Sequence, residues 1–156
     1  MNKGALITLI SAVVIFLDYV TKKIIVSKIM LYESISVLPF LNIVHVQNRG
    51  AAFSILSSLG NKYFIGISVI AIIAIVLYLS RLPKGVELFA LSLILGGAVG
   101  NLIDRIQIGK VTDFIDVFVG KWHWPAFNVA DSALTIGIIL FLLANIKQGK
   151  KTKDPS

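Results

Sequence analysis

The chain has 156 residues, 56% of them hydrophobic, with a mean hydropathy of +0.88 and a net charge of +7. Soluble domains hold roughly 45–50% apolar residues, so this excess points to a single domain, 1–156, that lives in a bilayer rather than in water. With no cysteine, disulfides, thiolate nucleophiles and cysteine-based metal sites are excluded, and with His45 and His123 as the only histidines a multi-histidine metal site is hard to build.

The first apolar run, 4–17, is uncharged and extends to 26 when Asp18, Lys22 and Lys23 are included. It is followed by "DYVTKK" and not by a small-residue cleavage site, so it is expected to remain as a span rather than be removed as a signal peptide. On a helix, Asp18 and Lys22 share a face and can pair. Residues 33–58 carry no span. Ile35, Val37, Leu41 and Ile43 alternate across Pro39, which predicts short strands in a small sheet at the membrane surface.

Further spans are expected over 61–80 and 86–106, joined by "SRLPKG" with Arg81 and Lys84. The third span contains "GGAVG", in which Gly96 and Gly100 have the small-xxx-small spacing of closely packed membrane helices. Asn101, Asp104 and Arg105 continue that helix. Arg105 can neutralise its neighbour Asp104, or snorkel to the interface. Asp113 and Asp116 follow just beyond. A fourth span, 127–147, opens with Asn128 and Asp131, which read as a helix N-cap and a first-turn acid. The chain is thus expected to be an all-α integral membrane protein of four transmembrane helices with a small extracytoplasmic sheet. A bilayer core of about 30 Å needs about 20 helical residues, and each run reaches that length only with its flanks.

Lys147, Lys150, Lys151 and Lys153 crowd the C-terminal tail, which marks a cytoplasmic end. Both termini and the 81–84 loop are therefore expected in the cytoplasm, with the connections 27–62 and 107–127 outside; Lys22, Lys23 and Lys28 run against this assignment. A nucleic-acid surface needs a basic stripe on a soluble face, so no nucleic-acid partner is expected.

Ionised aspartates near hydrocarbon cost several kcal/mol, and the default reading is functional. Spans three and four are antiparallel, which brings Asp113 and Asp131 to one depth near the outer surface. Two carboxylates sharing a small site cannot both ionise cheaply, so one acts as acid and the other as base. Such a pair can activate water and protonate a leaving amine. No G-x-S-x-G elbow and no H-E-x-x-H motif is present. Two other readings of the carboxylates stay open. Asp104, Asp113 and Asp116 could hold Mg²⁺ in a phosphotransferase, although their spacing suits this poorly. Asp18 and Asp131 could serve a transporter or proton relay, although every acid near a span lies toward the outer end.

"DYVTK" (18–22), "NRGAAFS" (48–54), "GGAVGNLIDR" (96–105), "VTDFIDV" (111–117) and "FNVADSALTIG" (127–137) together resemble the bacterial lipoprotein signal peptidases, or signal peptidase II. The five blocks keep the expected order over nearly the whole chain. The resemblance implies a four-helix bundle with an outer β-cradle, in the bacterial cytoplasmic membrane. It implies an aspartic endopeptidase that cuts before the diacylglyceryl-modified lipobox cysteine of prolipoproteins, with no cofactor or metal. It places the catalytic dyad on Asp113 and Asp131. Around them it places Asp18, Lys22, Asn48, Gly50, Asn101, Asp104, Arg105, Asn128 and Ala130. Asp116 falls outside the dyad and reads as structural or interfacial. Tyr19 stands where many members have glutamine. The partners implied are lipidated prolipoproteins, membrane lipids and cyclic peptide inhibitors of the globomycin type, with the enzyme acting as a monomer.

Overall fold

The computed structural model describes residues 1–48, 50 and 60–151. Four helices form a bundle: α1 (Lys3–Lys28), α2 (Asn61–Arg81), α3 (Val86–Ile108) and α4 (Val129–Lys151). Each contains a stretch long and apolar enough to cross a membrane, with mean hydropathy between 1.9 and 2.5. Large apolar side chains such as Phe16, Ile70 and Leu142 point outward. That arrangement is costly in water and natural in lipid, where helices need not hide apolar surface.

α3 is the centre of the bundle and touches each of the other three helices. Its small residues set how closely they approach. A methyl group added at Gly96 would lie 2.8 Å from Val14 Cβ on α1, and one added at Gly97 would lie 2.5 Å from the Ala130 carbonyl oxygen on α4. Gly137 of α4 returns the contact, since a methyl there would meet Ile94 Cγ1 at 2.6 Å and the Ala90 oxygen at 2.7 Å. The "GGAVG" segment therefore packs helices on two sides. Ser11 Oγ adds a hydrogen bond of 2.9 Å to the Ser92 carbonyl across the same α1–α3 contact.

An antiparallel sheet sits at the end of the bundle where α1 and α3 finish and α4 begins. Its strands β1 (Ser34–Leu38), β2 (Leu41–Asn48), β3 (Val111–Val119) and β4 (Trp122–His123) lie in sequence order. β1 and β2 match the strands expected from alternation. The described sheet is completed by β3 and β4, a segment whose acids drew attention as chemistry rather than as strand. Residues 51–58 of the expected outer sheet lie outside the described residues. β2 and β3 pair Leu41 with Val117, Ile43 with Ile115 and Val46 with Asp113.

Gly109, left-handed at φ 74°, closes α3 and turns the chain into β3. Phe127 is not yet helical: its backbone pairs with Ile115 and receives the Phe114 N–H at 3.0 Å. α4 therefore starts two residues after the expected 127, behind the N-cap Asn128.

Candidate active site

Five elements, the helices α1, α3 and α4 and the strands β2 and β3, bring polar side chains together at the sheet end of the bundle. From α1, the buried Lys22 ammonium lies 2.7 Å from Asp18 Oδ2, 3.2 Å from Asp104 Oδ2 and 3.2 Å from Asn101 Oδ1. One cation thus serves two carboxylates from two helices. The i,i+4 pairing of Asp18 with Lys22 was legible in the sequence. The partner of Asp104 was not, because that partner is Lys22 of α1 rather than the adjacent Arg105. Asp18 Oδ1 also accepts the Ala130 N–H at 2.9 Å, which satisfies a free amide in the first turn of α4. Asp104 accepts the Thr112 N–H at 2.9 Å and so fixes the start of β3 over α3.

Asn101 and Asn128 link this ion cluster to the other acids. Asn101 donates to Asp131 Oδ1 at 2.7 Å while its oxygen faces Lys22. Asn128 Oδ1 accepts the Asp131 N–H at 2.9 Å, the geometry of an N-cap, and its amide donates to Asp113 Oδ1 at 2.7 Å. Capping and site-building are therefore one function of one side chain. Asp113 Oδ2 receives the Asn48 amide at 3.1 Å, and Asn48 Oδ1 accepts the Gly50 N–H at 2.9 Å. Arg105 donates to the Gly50 carbonyl at 2.9 Å and lies over the Phe64 ring. Ala130 is fully buried, and a methyl added at Gly100 would lie 2.8 Å from Asp18 Oδ2 and 3.3 Å from Ala130 Cβ.

Asp113 is 3% exposed. Burial pushes its pKa up to about 7, and the neighbouring Asp131 charge pushes in the same direction. The Asn48 and Asn128 amides and the Lys22 ammonium oppose the rise.

A cavity of about 600 Å³ opens beside the cluster. Asn48, Asn101, Arg105 and Asp131 give it a polar wall, and Trp124, Phe127, Leu134 and Ile136 an apolar one. Asp131 faces the cavity directly, whereas Asp113 lies behind its lining.

All eleven residues singled out in the sequence fall in this one connected region. Asp116 is held apart by Asn42 at 2.9 Å and His123 at 2.9 Å. Residues missed in the sequence are Thr112, which contacts Asp104 through its N–H and Asn128 through its carbonyl, and Phe64 under Arg105. No local pattern marks either one, since both contacts arise only from tertiary packing.

Fold and site define a membrane-embedded helix bundle that gathers buried carboxylates and carboxamides at one end, beside a cavity with one polar and one apolar wall. The family model described as Signal peptidase (SPase) II matches residues 10–147. The lipoprotein signal peptidase of Janthinobacterium sp. (strain Marseille) is 47% identical over 89% of this chain and 87% of its own length. That of Syntrophus aciditrophicus (strain SB) is 41% identical over 99% of this chain and 100% of its own. A solved structure, described as a bacterial membrane enzyme determined by the in meso method at 2.3 Å resolution, superposes with a TM-score of 0.88. It shares 40% identity, with 96% of this chain and 92% of that one covered. The chain belongs to the signal peptidase II family, and it is a multi-pass membrane peptidase.

Proposed function

We propose that the chain is an aspartic endopeptidase that hydrolyses the bond before the diacylglyceryl-modified lipobox cysteine of prolipoproteins and releases the signal peptide. One observation carries this reading: the carboxamides of Asn101 and Asn128 tie Asp131 and Asp113 into one hydrogen-bonded unit at the cavity. A water held between Asp113 and Asp131 attacks the scissile carbonyl. One aspartate accepts the water's proton, and the other, protonated, stabilises the developing oxyanion. The tetrahedral intermediate then collapses, and the leaving amine departs with a proton from the pair. The raised pKa of Asp113 suits a dyad that holds one proton at neutral pH.

Asn48, Asn101, Asn128 and Arg105 orient the pair or bind substrate carbonyls, and Gly50 allows the substrate backbone to come close. Lys22, Asp18, Asp104 and Ala130 hold α1, α3 and α4 in place around them. The apolar wall of the cavity suits the lipid-linked part of the substrate. Chain 1–156 works as one unit and as a monomer in the bacterial cytoplasmic membrane, with both termini cytoplasmic and the site near the outer face. Cyclic peptides of the globomycin type compete with substrate.

The magnesium reading required Asp104, Asp113 and Asp116 to converge. Asp104 instead faces Lys22, Asp113 faces Asn48 and Asn128, and Asp116 faces Asn42 and His123. The test is turnover of one prolipoprotein in its lipidated and unlipidated forms by wild type, Asp113→Asn and Asp131→Asn. Both variants are expected to insert normally, with cleavage of the lipidated form abolished. Near-normal turnover by either variant removes the dyad, and equal cleavage of the unlipidated form removes the substrate assignment.

A further inference from the structure

β2 carries one residue more than β3 can match. Ile43 stands opposite Ile115 and Val46 opposite Asp113, so Val44 and His45 together face the single residue Phe114. That is a β-bulge. Without the extra residue, pairing would run on from Ile43 and set Asn48 opposite Lys110. With it, Asn48 stands opposite Val111. Val111 and Asp113 share one face of the strand, and Lys110 belongs to the other. The extra residue is therefore what turns the Asn48 amide toward Asp113 Oδ2, which it meets at 3.1 Å.

His45 fastens this bulge. Its N–H donates to the Glu33 carbonyl at 3.1 Å, and its carbonyl accepts the Tyr32 N–H at 2.7 Å, so both backbone groups engage the turn that leads out of α1. Tyr32 sits there at φ 69°, in the left-handed region that bulky residues avoid. The His45 side chain reaches the end of α1 itself, with Nδ1 2.8 Å from the carbonyl oxygen of Ile29, the C-cap residue. Carbonyls at a helix end lack partners within the helix. A carbonyl oxygen only accepts, so Nδ1 carries the proton and donates. Nε2, buried with the rest of the ring, has no hydrogen-bond partner among the described residues. The imidazole thus acts through one nitrogen.

We propose that His45 is a positioning residue of the active site: by tying the β2 bulge to the end of α1, it fixes the reach of Asn48 to Asp113. His45 is buried and does not line the cavity, so it acts through Asn48 and not on substrate. This role rests on Asp113 belonging to the dyad.

The experiment is a double-mutant cycle on cleavage of a lipidated prolipoprotein. Asn48→Ala and His45→Leu are each expected to lose on the order of 10²-fold in kcat/KM, the effect of a misplacement of about 1 Å. The double variant should lose no more than Asn48→Ala alone, because both changes remove the same interaction. Losses that multiply, to about 10⁴-fold, overturn the proposal and leave His45 a support for the fold. Wild-type turnover by His45→Leu overturns it too. The amide nitrogen of asparagine hangs from Cγ, as Nδ1 does, whereas that of glutamine lies one bond further out. His45→Asn should therefore keep most of the activity and His45→Gln little of it, and equal activities overturn the proposal. Near-wild-type turnover by Asp113→Asn removes the dyad and the role of His45 with it. Inactive Asp113→Asn beside multiplying losses removes the role of His45 alone. If His45→Leu fails to fold, NMR of the wild-type enzyme with isotope-labelled histidine gives an independent reading, with His123→Asn for assignment. The proton of His45 is expected on Nδ1, and a ring protonated on Nε2 with a bare Nδ1 overturns the proposal.

Discussion

Gly97→Ala tests how closely α3 and α4 must approach for the site to exist. The added methyl would sit 2.5 Å from the Ala130 carbonyl oxygen, and ordinary contact begins at 3.4 Å, so the helices must part by the difference, about 0.9 Å. The obstacle is backbone, which cannot rotate away. One turn further along α3, Asn101 donates to Asp131 at 2.7 Å. If the full opening is transmitted, that distance grows to about 3.6 Å, beyond a hydrogen bond. Overpacking of this kind costs about 1–3 kcal/mol of stability. A misplacement of about 1 Å at reacting groups costs on the order of 10²-fold in rate. Gly66 of α2 is the control, because a methyl there meets no heavy atom within 4 Å. Alanine at that position gains up to about 1 kcal/mol of helix propensity. Cleavage of a lipidated prolipoprotein and thermal unfolding, both in one detergent, give the two readouts. Gly97→Ala is expected to lose roughly 10²-fold in kcat/KM and several degrees in Tm, while Gly66→Ala keeps both. If Gly97→Ala turns over substrate at the wild-type rate, the claim that helix approach sets the Asp131 position is wrong.

Lys22→Met leaves Asp18 and Asp104 buried without their shared cation. It is expected to destabilise by about 3–5 kcal/mol, read by chemical denaturation, with Lys22→Arg intermediate. Asn128→Ser keeps an N-cap but removes the amide donor to Asp113, so Tm should hold within a few degrees while kcat falls; an equal loss in both would mean that Asn128 acts only as a cap. The raised pKa of Asp113 carries a definite sign. Its contribution to stability is whole below the ordinary carboxylate range and is lost as pH rises through about 7. Asp113→Asn should therefore flatten the decline of Tm between mildly acidic and mildly alkaline buffers, and an unchanged slope would show that the buried carboxyl does not titrate there.

The spans were legible because lipid imposes a length and a hydropathy that local sequence must satisfy. β1 and β2 were legible for a similar reason, since Ile35, Val37, Leu41 and Ile43 alternate openly. β3 was not, because acids at 113 and 116 fall on opposite sides of the strand and break its period. Its strand character is supplied by β2 and by the Asp104 carboxylate that fixes Thr112. In the site, spacing could reveal only contacts within one helix, such as Asp18 with Lys22. Lys22 with Asp104, Asp18 with Ala130 and Asn128 with Asp113 join residues from separate elements. Their convergence follows from packing at Gly96, Gly97 and Gly100, which the sequence marks as close contact without naming the partner. The membership of the cluster was reached through the resemblance of five motif blocks, not through periodicity.

The bond from the Ala130 amide to the Asp18 carboxylate spans 112 positions of the chain and ties α1 to α4. During synthesis, a ribosome that has delivered three helices has made Asp18, Lys22, Asn101 and Asp104, but neither Asn128 nor Asp131. The nascent protein at that stage has an unfinished polar pocket and no means of closing it. Insertion of α4 supplies the missing amide, its cap and the Asp131 carboxylate in a single event, so the polar cluster is completed only when that helix arrives.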